Sequence, residues 1–548
     1  MPLRKSSFLI IIFLLSSCLQ TNTPVVLPTS TPIPTSTTTT IITLPPTATI
    51  TPIPQPRRMH ASYGPEMEQM PAGYNPLTGR AVQDPSLLEL PAVLVSISNM
   101  PVTARPQAGP GFAPWVFEYY IGEATTRFLG VFYGGYPRRV PNVTGGCDVR
   151  ETISKPKGGW LGNRVWLDEN EDGIQNDWEM GIGGVCVHLY ADDELIASTS
   201  TNSNGYYAFD LPETAENYVI HFEKNDPFDF THPDIGNDDQ DSDADTATGR
   251  TRPFKIDSID SSWDAGLLLL ETPVATPSPV VTGTPPAWYL PLDAYVGPIR
   301  SGRLTYDHVN KMFTNSCLVF ASAAADILAQ LEPCELVFGV DLYDPNSATL
   351  TIEHMRELAE ESLVAHQPVN YAGNLFYAAL PDLESQPATS ISVFYHQYSQ
   401  SGWKYDLTSE SYLRFTDNAD GSGELHPATD RLTGRQQIFE NVIVLQATHD
   451  LFRSNQLDID LSMSQRGFAY LFRDGQVMKI YWSTNNREWE QKNGFLRPIH
   501  FEDVDKNPIA LHPGRTWIHL MTPASYLEEI KESEWQVKFV QPNDPPVK

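Results

Sequence analysis

The 548 residues carry 67 acidic and 37 basic side chains, a formal net charge of −30. That balance argues against a nucleic-acid partner, because a phosphate backbone is bound by clustered Lys and Arg. Only one stretch, at the very start, is apolar enough to meet a membrane, which excludes a multi-span membrane protein; 46 Pro against 35 Gly point to extended linkers beside folded parts.

Arg4 and Lys5 precede the apolar run from Phe8 to Leu15, followed by Ser16, Ser17 and Cys18. Charge, a short apolar run and then small residues is the order of a secretory signal, and the run is too short for a permanent span. Leu15-Ser16-Ser17-Cys18 resembles the bacterial lipobox. Residues 1–18 are therefore expected to be a lipoprotein signal, with Cys18 taking a diacylglyceryl group whose two chains suffice for stable anchoring. From Thr21 to Pro56 the chain is almost entirely Thr, Pro, Ser and Ile without charge. Residues 19–56 read as a polyproline-like tether reaching on the order of 100 Å, long enough to lift a domain off a membrane into a cell wall.

Residues 57–143 form the first piece of a core, with strand-like runs at Pro91–Ile97, Trp115–Tyr120 and Thr126–Tyr133. An acidic segment interrupts it at 158–270. Residues 161–270 alone hold 24 Asp/Glu and five Lys/Arg, a net of −19, so the rest of the chain carries only −11. Short alternating runs, Gly184–Tyr190, Gly205–Phe209 and Tyr218–Phe222, separated by Asn, Gly and Asp turns, predict an antiparallel β-sandwich.

Within this insert the stretch from Asp168 to Glu179 fits D-x-N-x-D-G-x5-E at every defined position. Calcium is a hard cation that takes six to eight oxygens. Asp168, Asn170 and Asp172 supply side-chain oxygens, Ile174 a carbonyl and Glu179 two oxygens, while Asn176 is placed to hold a water and Gly173 to make the sharp turn. Val165-Trp166-Leu167 reads as a strand end, so the loop is EF-hand-like but set between strands. Trp166–Gly173, Gly183–Tyr190, Thr201–Tyr206 and Trp263–Leu267 resemble the calcium-binding B repeats of serine–aspartate-repeat surface adhesins. The resemblance implies an immunoglobulin-like sandwich in which calcium stiffens a spacer, and further ligands from the acidic loop at Asp239, Asp241 and Asp243.

A second Thr/Pro tract at 271–286 precedes the second core piece, 287–385, where Ser322–Leu331 and Ile352–Ser362 look helical. Residues 386–548 turn mostly to strands: Ser392–Tyr395, Asn441–Leu445, Gly467–Phe472 and Val477–Trp482. The expected fold is multidomain, an α+β core with a β-rich C-terminal part, interrupted by the sandwich. Arg105-Pro-Gln, Thr126-Arg-Phe-Leu, Gly297-Pro-Ile-Arg-Ser, Trp403-Lys-Tyr-Asp, Asn441–Leu445 and Gly514–Ile518 resemble the YerB-like bacterial lipoproteins, a family without an assigned biochemical role. In that family the Arg-Phe-Leu strand runs on to the Gly-Pro-x-Arg-Ser turn after a few residues; here about 150 residues intervene, which marks the calcium module as an insertion. Where the family has Pro-His-Asn this chain has Gln367-Pro-Val-Asn370, so no His role carries over.

Arg105, Arg127, Arg300 and Arg303 stand in these motif segments. A guanidinium fork binds carboxylate or phosphate bidentately, so they are candidate contacts for wall polymers or peptide carboxylates; the alternative is that they pair with Glu118 and Glu123 and hold the two core pieces together. For an enzyme the available groups are Glu118 and Glu123, which strand geometry would place on opposite faces, and His426 with Asp430 as base and orienter. The chain has no G-x-S-x-G, H-E-x-x-H or P-loop. Besides Cys18, Cys147, Cys186, Cys317 and Cys334 allow two disulfides in three connectivities; Cys317 and Cys334 are close enough to pair, Cys186 alternates within a strand and is equally readable as a buried thiol, and no C-x-x-C suggests zinc. The leading reading is a lipid-anchored surface protein that binds or scaffolds at the envelope through wall polymer or a surface protein, with calcium rigidifying the insert. A wall-modifying hydrolase or transferase, or an adhesin acting through the insert, are the alternatives.

Overall fold

The computed structural model describes residues 62–140, 143, 147, 160–210, 217–255, 262–270, 294–341, 343–364, 367–453, 456–462 and 464–542. The signal at 1–18 with Cys18, the tether at 19–56 and the linker at 271–286 lie outside the described residues. Among the described residues no helix is long and apolar enough to cross a membrane.

An eleven-stranded sheet dominates the core. Its order is Glu335–Leu336, Cys317–Phe320, Val93–Ser98, Thr125–Phe132, Trp115–Gly122, Thr516–Met521, Asn441–Gln446, Arg466–Arg473, Gln476–Ser483 and Ser385–Pro387, with His500–Glu502 pairing beside Gln476–Ser483. Strands from before the insert are flanked on both sides by strands from after it. Val93–Ser98 pairs in parallel with Cys317–Phe320, and Trp115–Gly122 in parallel with Thr516–Met521. Strands from both sides of residue 385 share this sheet.

The two-residue period decides which face each side chain takes. Val93, Val95 and Ile97 join one apolar cluster while Leu94 joins the other. Both faces are therefore buried, as the near-continuous apolar runs of these strands require. One face packs on a seven-stranded sheet built on Ser390–His396, Ser399–Asp406 and Ser411–Asp417, with Ile391, Val393 and Trp403 in the shared core. Tyr306, Phe313 and Tyr371 help cover the other face. The expected helix at 352–362 forms as Ile352–Glu361, whereas Ala325–Leu328 is all that forms of the one expected at 322–331; the Ala-rich run has no amphipathic stripe long enough to sustain more turns.

The insert has its own core, including Leu161, Val165, Ile182, Tyr207, Phe222 and Trp263. One three-stranded sheet joins Tyr218–Phe222, Cys186–Ala191 and Glu194–Ser200; the other joins Phe228–Phe230, Ala265–Leu269 and Val165–Leu167. Most pairs are antiparallel, but Ala265–Leu269 and Val165–Leu167, from opposite ends of the insert, run parallel. The disulfides are Cys147–Cys186 and Cys317–Cys334. Cys186 is thus both buried and bonded.

Candidate functional site

The strand Val165–Leu167 runs directly into the Asp168–Glu179 loop. The loop is closed at its base, where Leu167 N–H donates to Met180 O at 2.9 Å and Asp168 N–H continues the parallel ladder to Leu267 O at 2.9 Å. Gly173 sits at φ 76°, and a Cβ there would meet His232 O at 2.8 Å, so the turn requires glycine.

The oxygens of this loop face one another. Asp168 Oδ2 accepts from Gly173 N–H at 2.9 Å and Thr231 Oγ1 at 2.5 Å. Glu179 reaches back across the ring, Oε1 accepting from Glu169 N–H and Oε2 from Asn176 N–H, both at 2.9 Å. Asn170 Nδ2 donates to Asp172 Oδ2 at 2.8 Å, and Asn176 Nδ2 to Ile174 O at 3.0 Å and Asp172 Oδ2 at 3.2 Å. Asparagine amide hydrogens thereby stand where a cation's charge would serve the same carboxylates. Asn176 Oδ1 is buried without a partner, and rotating that amide would turn an oxygen into the ring. Burial, with Asp168 and Asp172 adding repulsion, pushes Glu179 up to about 8. The donor set is all oxygen, so the residues fit a hard divalent cation.

The acidic loop lies alongside, with Gln175 N–H donating to Gln240 O at 2.6 Å and Ile174 bridged to Asp241. Carboxylate oxygens of Asp238, Asp241 and Asp243 all lie within 4.8 Å of one another. The expected Asp239 is exposed and not in this group. Asp238 is exposed too and pairs with Arg252 at 3.0 Å, but the tight turn in which both Gln240 N–H and Asp241 N–H donate to Asn237 O brings its carboxylate to the group. Burial, with repulsion from Asp238 and Asp234, raises Asp241 to about 6, and burial raises Asp243 to about 8. Sequence reasoning missed Asp238, and also Asp264, fully buried beside Asp243 with Oδ1 accepting Arg164 N–H at 2.8 Å. No spacing signal links Asp264 to the loop.

The four motif arginines separate. Arg105 is tied to Asp417 at 3.0 Å and to Asn99 Oδ1 at 3.0 Å, so it holds the first core piece to the Ser411–Asp417 strand and leaves the candidate anion set. The Gly297–Ser301 segment docks on Val93–Ser98, with Ser98 N–H donating to Pro298 O at 2.8 Å and Arg300 N–H to Ser96 O at 3.0 Å. Docking brings Arg127, Arg300 and Arg303 around Ser301. Arg127 Nη1 donates to Ser301 O at 3.3 Å, Arg303 Nη1 to Ser301 Oγ at 2.8 Å and Arg300 Nη2 to Asn346 Oδ1 at 2.8 Å. Among the described residues none of the three has a carboxylate partner in an ion pair, and Arg127 Nε and Arg303 Nε are buried without partners. Burial, with Arg303 and Arg300 nearby, lowers Arg127 to about 10.

Glu118 pairs with none of them. It lies fully buried between the two core sheets, accepting from Thr126 Oγ1 at 2.9 Å and Trp517 Nε1 at 3.1 Å, with Arg414 at 3.9 Å. Burial raises its pKa, offset in part by Arg414. Trp403 Nε1–H donates to His519 Nε2 at 3.0 Å, which puts the proton of neutral His519 on Nδ1, 3.5 Å from Glu118. Glu123 is not on the strand but in the turn after it, at φ 52°, so the strand-face argument does not apply to it. His426 and Asp430 do not meet. His426 is exposed and turns to Pro427 O at 3.2 Å, while Asp430 is buried and accepts N–H groups of Gly109, Gly111 and Leu432.

Three family models match the chain. Residues 77–171 match the N-terminal domain and residues 391–518 the C-terminal domain of a protein of unknown function, DUF3048, and residues 159–267 match the SdrD B-like domain. YerB of Bacillus subtilis is 28% identical over 120 residues, 22% of this chain and 30% of that protein. The fibrinogen-binding protein of Staphylococcus epidermidis is 46% identical over 105 residues, 19% of this chain and 10% of that protein. The serine-aspartate repeat-containing protein F of Staphylococcus epidermidis is 46% identical over 81 residues, 15% of this chain and 5% of that protein. The matched segments thus span well under two thirds of each of these relatives. The crystal structure of YerB from Bacillus subtilis aligns with a TM-score of 0.41 at 16% identity, covering 82% of this chain and 96% of that one. The chain is similar to YerB-like proteins in its two outer parts and to the B-like domains of serine–aspartate-repeat proteins in its insert.

Proposed function

We propose that this protein is a lipid-anchored, extracytoplasmic surface protein that binds or scaffolds at the bacterial cell envelope without catalysis, and that calcium held by the insert stiffens it. The observation that carries this reading is the Asp168–Glu179 loop: a closed ring of oxygens whose carboxylates are served by asparagine amides and whose Asn176 Oδ1 is buried without a partner. Asp168, Asn170, Asp172, Ile174 and Glu179 would hold the ion, with Asn176 beside them, and Asp238, Asp241 and Asp243 a second one. Calcium supplies there a fixed charge that ties both ends of the loop to one point.

Surface location is supported by the names of the similar proteins, a lipoprotein and serine-aspartate repeat-containing proteins, and by the expected signal and Cys18 in the first residues. In this reading the core comprises 57–143 and 287–548, the insert comprises 158–270, and 19–56 and 271–286 are spacers. Arg127, Arg300 and Arg303 are the core's contact for wall carboxylates or phosphates, because three guanidiniums gather without a carboxylate ion pair among the described residues.

The test takes the fragment from Arg57 onward, melts it in calcium and in chelator, and sediments it with purified cell-wall material. A calcium-dependent transition and protein in the pellet, with no new soluble fragments by mass spectrometry, are expected. No change in any transition in chelator would overturn the calcium assignment, and new soluble fragments would overturn the non-catalytic one.

A further inference from the structure

Between core and insert lies a cleft of about 640 Å³, a volume suited to a ligand of a few rings. Its floor is built from arginines that are far apart in the chain. Arg80 and Arg138 come from the first core piece, Arg164 from the insert, and Arg435 and Arg515 from the C-terminal part. Of the lining carboxylates, Asp84, Asp177, Asp239 and Glu410 are exposed and Glu179 and Glu440 are buried, and all five arginines are buried or half-buried.

Two of these arginines are ion-paired. Arg80 pairs with Glu440 at 3.0 Å, and the other oxygen of Glu440 accepts the backbone N–H of Arg515. The Arg515 guanidinium makes no hydrogen bond among the described residues and lies 5.5 Å from the centre of the Phe439 ring. Arg138 is answered by Glu169 at 2.8 Å. Arg164 donates from Nη2 to Glu179 O at 3.0 Å and lies over the Tyr206 ring at 5.2 Å, but its Nε is buried without a partner. Arg164 and Arg515 thus present guanidinium groups in a partly dehydrated cleft with no carboxylate in an ion pair, the condition under which a guanidinium fork gains most from an incoming anion.

The remaining walls narrow the ligand. Tyr136, Trp178 and Tyr206 offer aromatic rings, and Asn163 and Gln175 offer amides that both donate and accept. Aromatic faces for the C–H side of a ring and amides for its hydroxyls, beside guanidinium forks, match a sugar that carries negative charge. We propose that the cleft is a binding site for an anionic saccharide, one bearing carboxylate or phosphate groups, held by Arg164 and Arg515. This goes beyond the envelope-binding reading and does not depend on the Arg127, Arg300 and Arg303 cluster.

A free sugar and a polymer segment share this chemistry, so the test has an arm for each. The full chain in detergent is titrated calorimetrically with glucose 6-phosphate, glucuronate, polygalacturonate and, as the neutral comparison, glucose. Binding of at least one anionic probe at millimolar or lower concentration, with none of glucose, is expected. Binding of the polymer alone identifies an extended ligand, and binding of the monomers shows that one charged sugar suffices. The double variant R164Q/R515Q is expected to lose about tenfold or more in affinity, and K531Q, an exposed site elsewhere, none. Should R164Q/R515Q melt lower than the unaltered chain, R164K/R515K keeps the charges without the planar forks and is expected to lose affinity in part. The proposal is overturned if no anionic probe binds, if glucose binds as well as they do, or if binding is unchanged in these variants.

Discussion

Arg138, on the segment leaving the core strand Thr125–Phe132, pairs at 2.8 Å with Glu169, the residue after the first acidic position of the insert's loop. The same guanidinium donates to Trp178 O at 2.7 Å and to Gln83 Oε1 at 2.9 Å. Beyond it, Gln436 N–H donates to Ser203 Oγ at 3.1 Å and Asn204 Nδ2 to Gln436 O at 3.2 Å. The insert is docked on the core through the loop proposed to hold calcium, and is not a free-swinging module.

Breaking that pair should therefore loosen docking without unfolding either part. In a double-mutant cycle of R138A and E169Q, read by urea unfolding, a coupling energy of about 1 kcal/mol is expected, the size typical of partly exposed pairs. A coupling indistinguishable from zero would mean the contact orients nothing.

Calcium should raise the melting temperature, and D172A or E179A should abolish the rise; at a calcium concentration 100 times the dissociation constant the gain is about 2.7 kcal/mol. Because the Glu179 carboxyl is held up to about 8 without a cation, the free loop carries a proton at neutral pH that the ion must displace. Binding is then expected to weaken as pH falls below about 8, with proton release seen as a buffer-dependent heat in calorimetry.

The Glu118–Arg414 pair is costly to break singly and cheap to replace together. R414M strands a buried carboxylate and should cost about 3–5 kcal/mol in denaturant unfolding, while E118Q/R414M should recover most of it. Equal losses in both variants would show that Trp517 and Thr126, not Arg414, set the charge state of Glu118.

Acid should weaken the core through His449. Burial holds its pKa down to about 4 against an unfolded value of 6.5, with Nδ1 donating to Ala447 O at 2.9 Å and Nε2 buried without a partner. Below pH 6.5 the unfolded chain takes up a proton that the folded chain refuses. Stability is thus complete above pH 6.5 and lost as pH falls towards 4, by up to about 3 kcal/mol for this group. H449Q should flatten that part of the profile, measured by urea unfolding across the range.

The sequence by itself determined what is local. The loop at 168–179 is legible because its oxygens lie on alternate residues of one short segment, 168, 170, 172 and 174, closed by Glu179, so spacing alone places them around one point. In the acidic loop beside it, Asp241 and Asp243 are grouped with Asp238 and not with the expected Asp239, because a turn at Asn237, invisible in composition, decides which carboxylate reaches the other two. Strand runs such as Val93–Ser98 were readable because burial on both faces demands continuous apolar residues. What only the tertiary structure decided is what distant segments make together. Arg105 finds Asp417 across 312 positions, Glu118 finds Trp517 across 399, and five arginines from separate segments floor one cleft. No periodicity encodes such meetings, because a guanidinium's partner is set by which strands share a sheet and by where the insert docks.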